Sequence, residues 1–502
     1  LRPSSANWHH YLPNLWLHTP GLQAGVTGIS AAFGASWQSM PGIQAISPGR
    51  RSAPRPGAGA NETGPGGSHA ASRDVASIAA SAPLRRANRK GSNMEMTRRG
   101  LGSAASALLL AAGLPGKARA AAEPPIKIGV LHSLSGTMAI SETILKDFVL
   151  MQVAELNAKG GLLGRKIEPV VVDPASNWPL FAEKARDLIS RDKVVAVFGC
   201  WTSVSRKSVL PVFEELNGLL FYPLEYEGEE QSKNIFYGGS VPDNKAIPAC
   251  EYLMSAAGGG VKRWLLEGTD YVYPRTSNKI IKAFLKSKGV ADEDIHENYT
   301  PFGFADWQSE VSAIKKFGST GKKTAVVSTI NGDANVPFYK ELGNQGIKAT
   351  DIPVMAFSIG EEELRGIDTA PLVGHLAAWS YFESIDTPQN KAFVAAWRKY
   401  RNNPKAVTND PMESTYDLFQ LWSQAVKKAG STDVAAVSQA IIGQKVMSPT
   451  GNEVTMNPNH HLTKPVMIGE IQANGQFDIV YQSKPIAPHP WSPYLPENAG
   501  KG

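Results

Sequence analysis

From Pro125 onward, short β-branched apolar runs alternate with longer stretches whose apolar residues recur every three or four positions. The first kind predicts strands at Ile126–Leu131, Ile167–Val172, Val194–Phe198 and Leu219–Phe221. The second predicts helices at Ser141–Lys159, Trp178–Arg191 and Ser205–Leu216. Strands separated by helices of this length read as parallel βαβ units in a layered α/β domain. The chain turns polar at Gly238–Asn244, and a second series follows. Its strands are Arg263–Leu266, Ile295–Thr300, Thr324–Ser328 and Pro353–Ala356, and its helices Ser277–Lys288, Trp307–Phe317 and Pro337–Leu342. The chain crosses back near His375–Tyr381, then continues as helices Gln389–Tyr400, Met412–Lys428 and Asp433–Ile442. Val466–Ile471 and Phe477–Tyr481 pair as a hairpin around Asn474-Gly475. The expected fold is α/β, with two Rossmann-like lobes joined by a multi-crossing hinge. Residues 125–243 plus about 380–450 form one lobe, 244–379 plus about 451–484 the other, and 485–502 a tail. Such lobes close on a ligand by hinge bending.

The N-terminal quarter lacks this periodicity. Residues 1–93 are rich in Gly, Pro, Ala, Ser and Arg and read as an extension, non-native or disordered, ahead of a start at Met94 or Met96. Arg98-Arg99, the uncharged run Leu101–Leu114 and Ala118-Arg119-Ala120 have the layout of a secretory signal over 94–120. The run is too short to span a bilayer. The arginine pair fits a twin-arginine route as well as the general one. Export changes the charge argument. Residues 1–120 carry 13 of the 51 Lys+Arg and 3 of the 45 Asp+Glu, leaving 38 basic against 42 acidic from 121 on. The exported portion therefore has no electrostatic reason to bind nucleic acid. Cys200 and Cys250 are the two cysteines and read as separate buried thiols.

The densest chemistry lies between Phe198 and Gly228. Thr202 and Ser203 stand where a helix begins, so their hydroxyls and the first free N–H groups converge. Tyr222-Pro-Leu-Glu-Tyr226 follows the next strand. Adjacent strands thus bring polar groups to one sheet edge, where open α/β folds bind ligands. Catalytic readings are weaker. His132 beside Ser133 and Ser135 lacks the turn of a nucleophile elbow. His460-His461 offers too few ligands for a metal and reads as a polar surface loop. Gly258–Gly260 lacks the Lys-Ser/Thr of a phosphate loop. No enzyme activity and no cofactor are expected.

Six ordered motifs carry a resemblance: Leu131-His-Ser-Leu-Ser-Gly-Thr-Met-Ala-Ile-Ser141, Asp173-Pro-Ala-Ser-Asn-Trp-Pro179, Gly199-Cys-Trp-Thr-Ser-Val-Ser-Arg-Lys207, Tyr222-Pro-Leu-Glu-Tyr-Glu-Gly228, Gly268-Thr-Asp-Tyr-Val-Tyr-Pro-Arg275 and Tyr381-Phe-Glu-Ser-Ile-Asp-Thr-Pro388. Over roughly 125–500 the chain resembles the substrate-binding components of ABC transporters with a type I periplasmic-binding fold, in particular the urea-binding branch. Amide sensors and branched-chain amino-acid receptors are its kin. The resemblance implies a periplasmic receptor that holds urea and passes it to membrane permease subunits. It implies ligand contacts from Trp201, Ser203, Tyr222, Leu224 and Glu225 in one lobe, and from Tyr273, Thr329 and Glu361 in the other. Amide sensors tend to carry Tyr at the place of Trp201 and apolar or hydroxyl residues around Leu224-Glu225. On this reading Ser203 and the helix N–H groups receive the urea oxygen, and Glu225, Glu361 and Tyr222 accept from its amides. Trp201 and Tyr273 then sandwich the plane. A short-amide receptor or sensor is the alternative, followed by a branched-chain amino-acid receptor.

Overall fold

The computed structural model describes residues 123–501. The expected extension and secretory signal lie outside them. In chain order the first elements are β1 (Ile126–Leu131), α1 (Ala139–Ala158), β2 (Ile167–Val172), α2 (Trp178–Ser190), β3 (Val197–Gly199), α3 (Ser203–Glu215), β4 (Leu220–Tyr222) and β5 (Ile235–Tyr237). Next come α4 (Ala246–Met254), β6 (Arg263–Thr269), α5 (Val272–Ser287), β7 (Ile295–Thr300), α6 (Gln308–Gly318), β8 (Thr324–Thr329), α7 (Asn335–Asn344), β9 (Val354–Ala356), α8 (Glu361–Leu364) and β10 (Leu376–Trp379). The rest is α9 (Pro388–Tyr400), α10 (Asp410–Ala429), α11 (Val434–Ile441), β11 (Lys445–Met447), β12 (Glu453–Met456), β13 (Leu462–Thr463), β14 (Met467–Ile471) and β15 (Phe477–Gln482).

The first lobe is a five-stranded parallel sheet ordered β2-β1-β3-β4-β5. The second is a seven-stranded sheet ordered β15-β14-β10-β9-β8-β6-β7, parallel except where β14 meets β10 and β15. Each sheet reverses its strand order once, between β1 and β3 and between β6 and β8. Ligands in open α/β sheets bind at such points, beyond the carboxyl ends of the strands. Helices cover both faces because strands buried on two sides leave no face for water. In the first lobe Phe198, Phe221 and Phe236 stack across β3, β4 and β5 with centroids 4.9 and 5.2 Å apart. Phe419 and Trp422 of α10 pack on Phe198.

The chain crosses between sheets after β5, after β10 and before β14. The last crossing comes later than the hydrophobic pattern places it. Residues up to Leu462 still pack in the first lobe's core, with Val446, Val454 and Met456, and β11–β13 form a small antiparallel sheet there. Strands of two to four residues are too short to show a period. The tail is also built in. Leu495 is buried in the second lobe's core, and Tyr494 packs edge-on against Phe284. The tail then reaches the first lobe. The Pro490 carbonyl accepts from the Glu229 N–H at 2.6 Å, and the Ser492 N–H and Asn498 Nδ2 donate to the Glu229 carboxylate at 2.9 and 2.8 Å. Gly228 permits this approach: it has φ +69, and a Cβ there would stand 2.5 Å from the Pro490 carbonyl.

Candidate functional site at the seam between lobes

The turn after β3 sets the first half of the site. Cys200 takes a left-handed φ of +65, a costly conformation for a residue with a Cβ, and it turns the chain into α3. Thr202 caps that helix, its Oγ1 accepting from the Ser205 N–H at 3.1 Å. Ser203 is the first helical residue. Its hydroxyl donates to the Glu227 carboxylate and accepts from Arg206 Nη1 at 3.2 Å. Arg206 is wholly buried. Its Nε meets Glu230 Oε1 at 2.8 Å, and its guanidinium lies 4.2 Å from the ring centre of Tyr226 and 4.8 Å from that of Tyr222. Burial alone would lower its pKa, but Glu230 and Glu227 outweigh that and hold it well above the usual value. Glu230 is buried too, yet Arg206 and Lys207 bring it down to about 2.

This network was not anticipated from the sequence. Its signals were present: Arg206 lies one helical turn from Ser203, and Glu227 and Glu230 follow β4 in an acidic run. His461 also departs from the sequence reading. It is no surface residue but is fully buried, stacked 4.4 Å from Tyr237 and 2.7 Å from the Tyr226 hydroxyl. Burial lowers its pKa to about 3, so it is a neutral ring in an aromatic stack.

The second half centres on Glu225. Its Oε1 lies 3.5 Å from the Tyr273 hydroxyl, 3.3 Å from Ser358 Oγ and 3.4 Å from Lys245 Nζ. Tyr273 belongs to α5 and Ser358 follows β9, so a carboxylate of the first lobe touches two elements of the second. Its other oxygen, Oε2, is buried with no hydrogen-bond partner among the described residues. Burial raises the Glu225 carboxyl to about 7 against the pull of Lys245, and burial lowers Lys245 although Glu225 opposes it. A void of about 10 Å³, the space of one water, lies against Glu225, Lys245, Tyr273 and Phe357.

The remaining expected site residues divide. The Tyr222 hydroxyl donates to the Trp201 carbonyl at 2.6 Å and lies 3.4 Å from the Glu225 carbonyl. Trp201 and Leu224 are buried. The Thr329 hydroxyl donates to the Glu267 carbonyl at 3.3 Å within the second sheet. Glu361, at the start of α8, accepts from the Glu383 N–H at 2.7 Å, and burial raises its pKa. The side-chain bonds described for Thr329 and Glu361 thus stay within the second lobe and its crossing, apart from Glu225. Behind the seam, Lys464 meets Glu413 at 2.5 Å and Ser414 at 2.8 Å, while Asp410 accepts from the Ser380 N–H at 2.9 Å. The crossings therefore carry buried, paired charge.

The lobes are in contact at the cleft mouth. Ser141 of α1 donates to Glu363 of α8 at 2.7 Å, and the Asp333 N–H reaches the Thr137 carbonyl at 3.2 Å. Gly332 has φ +71, and a Cβ there would stand 2.7 Å from that same carbonyl. Gly332→Ala is therefore expected to hold the lobes apart. Small-angle scattering at saturating ligand should give a larger radius of gyration than wild type, with weaker affinity; equal radii would refute the expectation.

Comparison with known proteins agrees with this architecture. The family described as periplasmic binding protein domain matches residues 126–497. A Leu/Ile/Val-binding protein homolog of Brucella melitensis is 26% identical over 402 residues, 75% of this chain and 95% of that protein. A shorter match, 37% identical over 115 residues, covers 23% of this chain and 21% of a protein named limonene hydroxylase from Geobacillus stearothermophilus. A solute-binding protein of an ABC transporter from Rhodopseudomonas palustris, crystallised with p-hydroxybenzoic acid, superposes with a TM-score of 0.64 at 23% identity, covering 73% of this chain and 98% of that one. The chain belongs to the periplasmic binding protein family, and its α/β architecture is that of the type I periplasmic binding proteins. Among the described residues no helix is long and apolar enough to cross a membrane, and no three His, Cys, Asp or Glu side chains are grouped to hold a metal.

Proposed function

We propose that this receptor is exported to the periplasm, closes over urea between its lobes and presents it to ABC permease subunits. The observation that carries the reading is the buried Glu225 carboxylate, with one oxygen unpartnered, where Tyr273 and Ser358 of the other lobe converge. Urea offers four N–H donors and one acceptor in a neutral plane, so it suits a pocket rich in oxygen. Lys245 balances the charge of Glu225, which favours an uncharged guest. A free carboxylate on the ligand would face Glu225 directly. The void has room for one water, so any guest must part the lobes to enter. Urea or a short amide needs less parting than an aromatic acid such as the one held by the Rhodopseudomonas protein, and leucine is the amino-acid comparator. Trp201, Ser203, Tyr222, Leu224, Thr329 and Glu361 complete the proposed surroundings. The single hydroxyl proton of Ser203 already goes to Glu227, so the urea oxygen is left to the free N–H groups at the start of α3.

Calorimetric titration with urea, formamide, acetamide and leucine tests this. Urea should bind tightest, because acetamide replaces an NH2 by a methyl and leaves an acceptor unmatched. Acetamide binding as tightly would point to a short-amide receptor instead. Glu225→Gln should weaken urea by about 10- to 100-fold, the range of a hydrogen bond to a charged group. Unchanged affinity would remove Glu225 from the site.

A further inference from the structure

Lys245 sits in an unusual place for a lysine. Its side chain is 4% exposed, whereas lysines are almost never buried unless paired. It follows the short turn Pro242–Asn244 that leads into α4. The ammonium donates to the Phe357 carbonyl at 2.7 Å, lies 3.4 Å from Glu225 Oε1 and stands 3.6 Å from the ring centre of Trp379. A carboxylate, a carbonyl and the face of an indole are the groups that recognise an organic ammonium ion. The chain fills that cage itself, from the wall of the void that Glu225 and Tyr273 line.

We infer that Lys245 is a specificity-determining residue: its ammonium occupies the cation position of the cleft and so excludes solutes that carry an ammonium group, amino acids among them. An incoming ammonium meets both an occupied cage and a like charge. A neutral N–H donor meets neither obstacle and still finds the free Glu225 oxygen. The inference rests on the proposed reading only in placing the ligand at this seam.

Removing the lysine side chain should expose the cage. Ethylammonium is the probe, and thermal unfolding of the full-length exported protein is the readout. Ethylammonium should raise the Tm of Lys245→Ala saturably, by about 3 °C or more at a large excess over its dissociation constant. It should leave wild type unmoved, and the rise should vanish in the double variant Lys245→Ala/Glu225→Gln. An equal rise in wild type, or none in a cooperatively melting Lys245→Ala, overturns the inference. If Lys245→Ala does not melt cooperatively, refolding yield with and without ethylammonium decides: a gain supports the cage and no gain overturns it. Failure of wild type to bind urea would count against the proposed function but leave this result standing, so the two are separable.

Discussion

Arg206→Met is expected to cost about 3–5 kcal/mol of stability, the usual penalty for removing one partner of a buried ion pair. Methionine fills much of the volume but leaves Glu227 and Glu230 to Lys207, which alone of the four reaches solvent appreciably. The Ser203 hydroxyl loses a donor, and Tyr222 and Tyr226 lose the cation over their rings. Denaturant titration should show the midpoint fall at unchanged slope. Adding Glu227→Gln and Glu230→Gln should recover much of the loss, since the cost lies in stranded charge rather than in a missing contact. A single variant with wild-type stability would show that the network contributes nothing.

Glu267→Gln should act in the opposite direction, by an amount that grows as pH rises above 4.5. Glu267 lies on β6, buried, its carboxyl held by Asn298 Nδ2 at 3.1 and 3.2 Å with Glu310 beyond the same amide at 2.9 Å. Burial, opposed by Asn298 and reinforced by Glu310, raises its pKa from 4.5 to about 8. Below pH 4.5 the acid is protonated in both folded and unfolded chains, and it imposes no penalty. As pH rises from 4.5 through 8 the unfolded chain loses its proton first, so folded stability falls. Above 8 the penalty is complete, on the order of 5 kcal/mol. The amide never ionises and still offers Asn298 an acceptor. Glu267→Gln should therefore match wild type near pH 4 and exceed it clearly at pH 9. Parallel stability profiles for the two proteins would contradict this account.

The layout of both lobes could be read from periodicity because the long elements each bury one face. β1, β2, β7, the β14–β15 hairpin and the long helices fall within a few residues of expectation. Helix α5 begins at Val272 rather than Ser277, because Pro274 reads as a helix breaker although the first turn of a helix tolerates it. β5, α4 and β11–β13 escaped notice because a few residues, or a segment within a polar crossing, cannot display a period. The placement of polar groups at the seam was legible where they are close in sequence: Ser203 and Thr202 at a helix start, Glu225 after a strand. Lys245 was not, since a lysine in a polar crossing looks like any solvated one. Only the fold of the second lobe, bringing Phe357 and Trp379 over it, makes it interior. Arg206 was hidden for the same reason, its carboxylate partners lying more than twenty residues further on.

The anchored tail bears on how the receptor can be handled. Three connections let two bodies swing and also twist, but the grip of Pro490 through Asn498 on Glu229 adds a further strap that restrains twisting. Clipping the chain before His489 would keep both sheets and slacken the stroke. A label fused at the C-terminus would tug on Glu229 and report on that strap as much as on the solute.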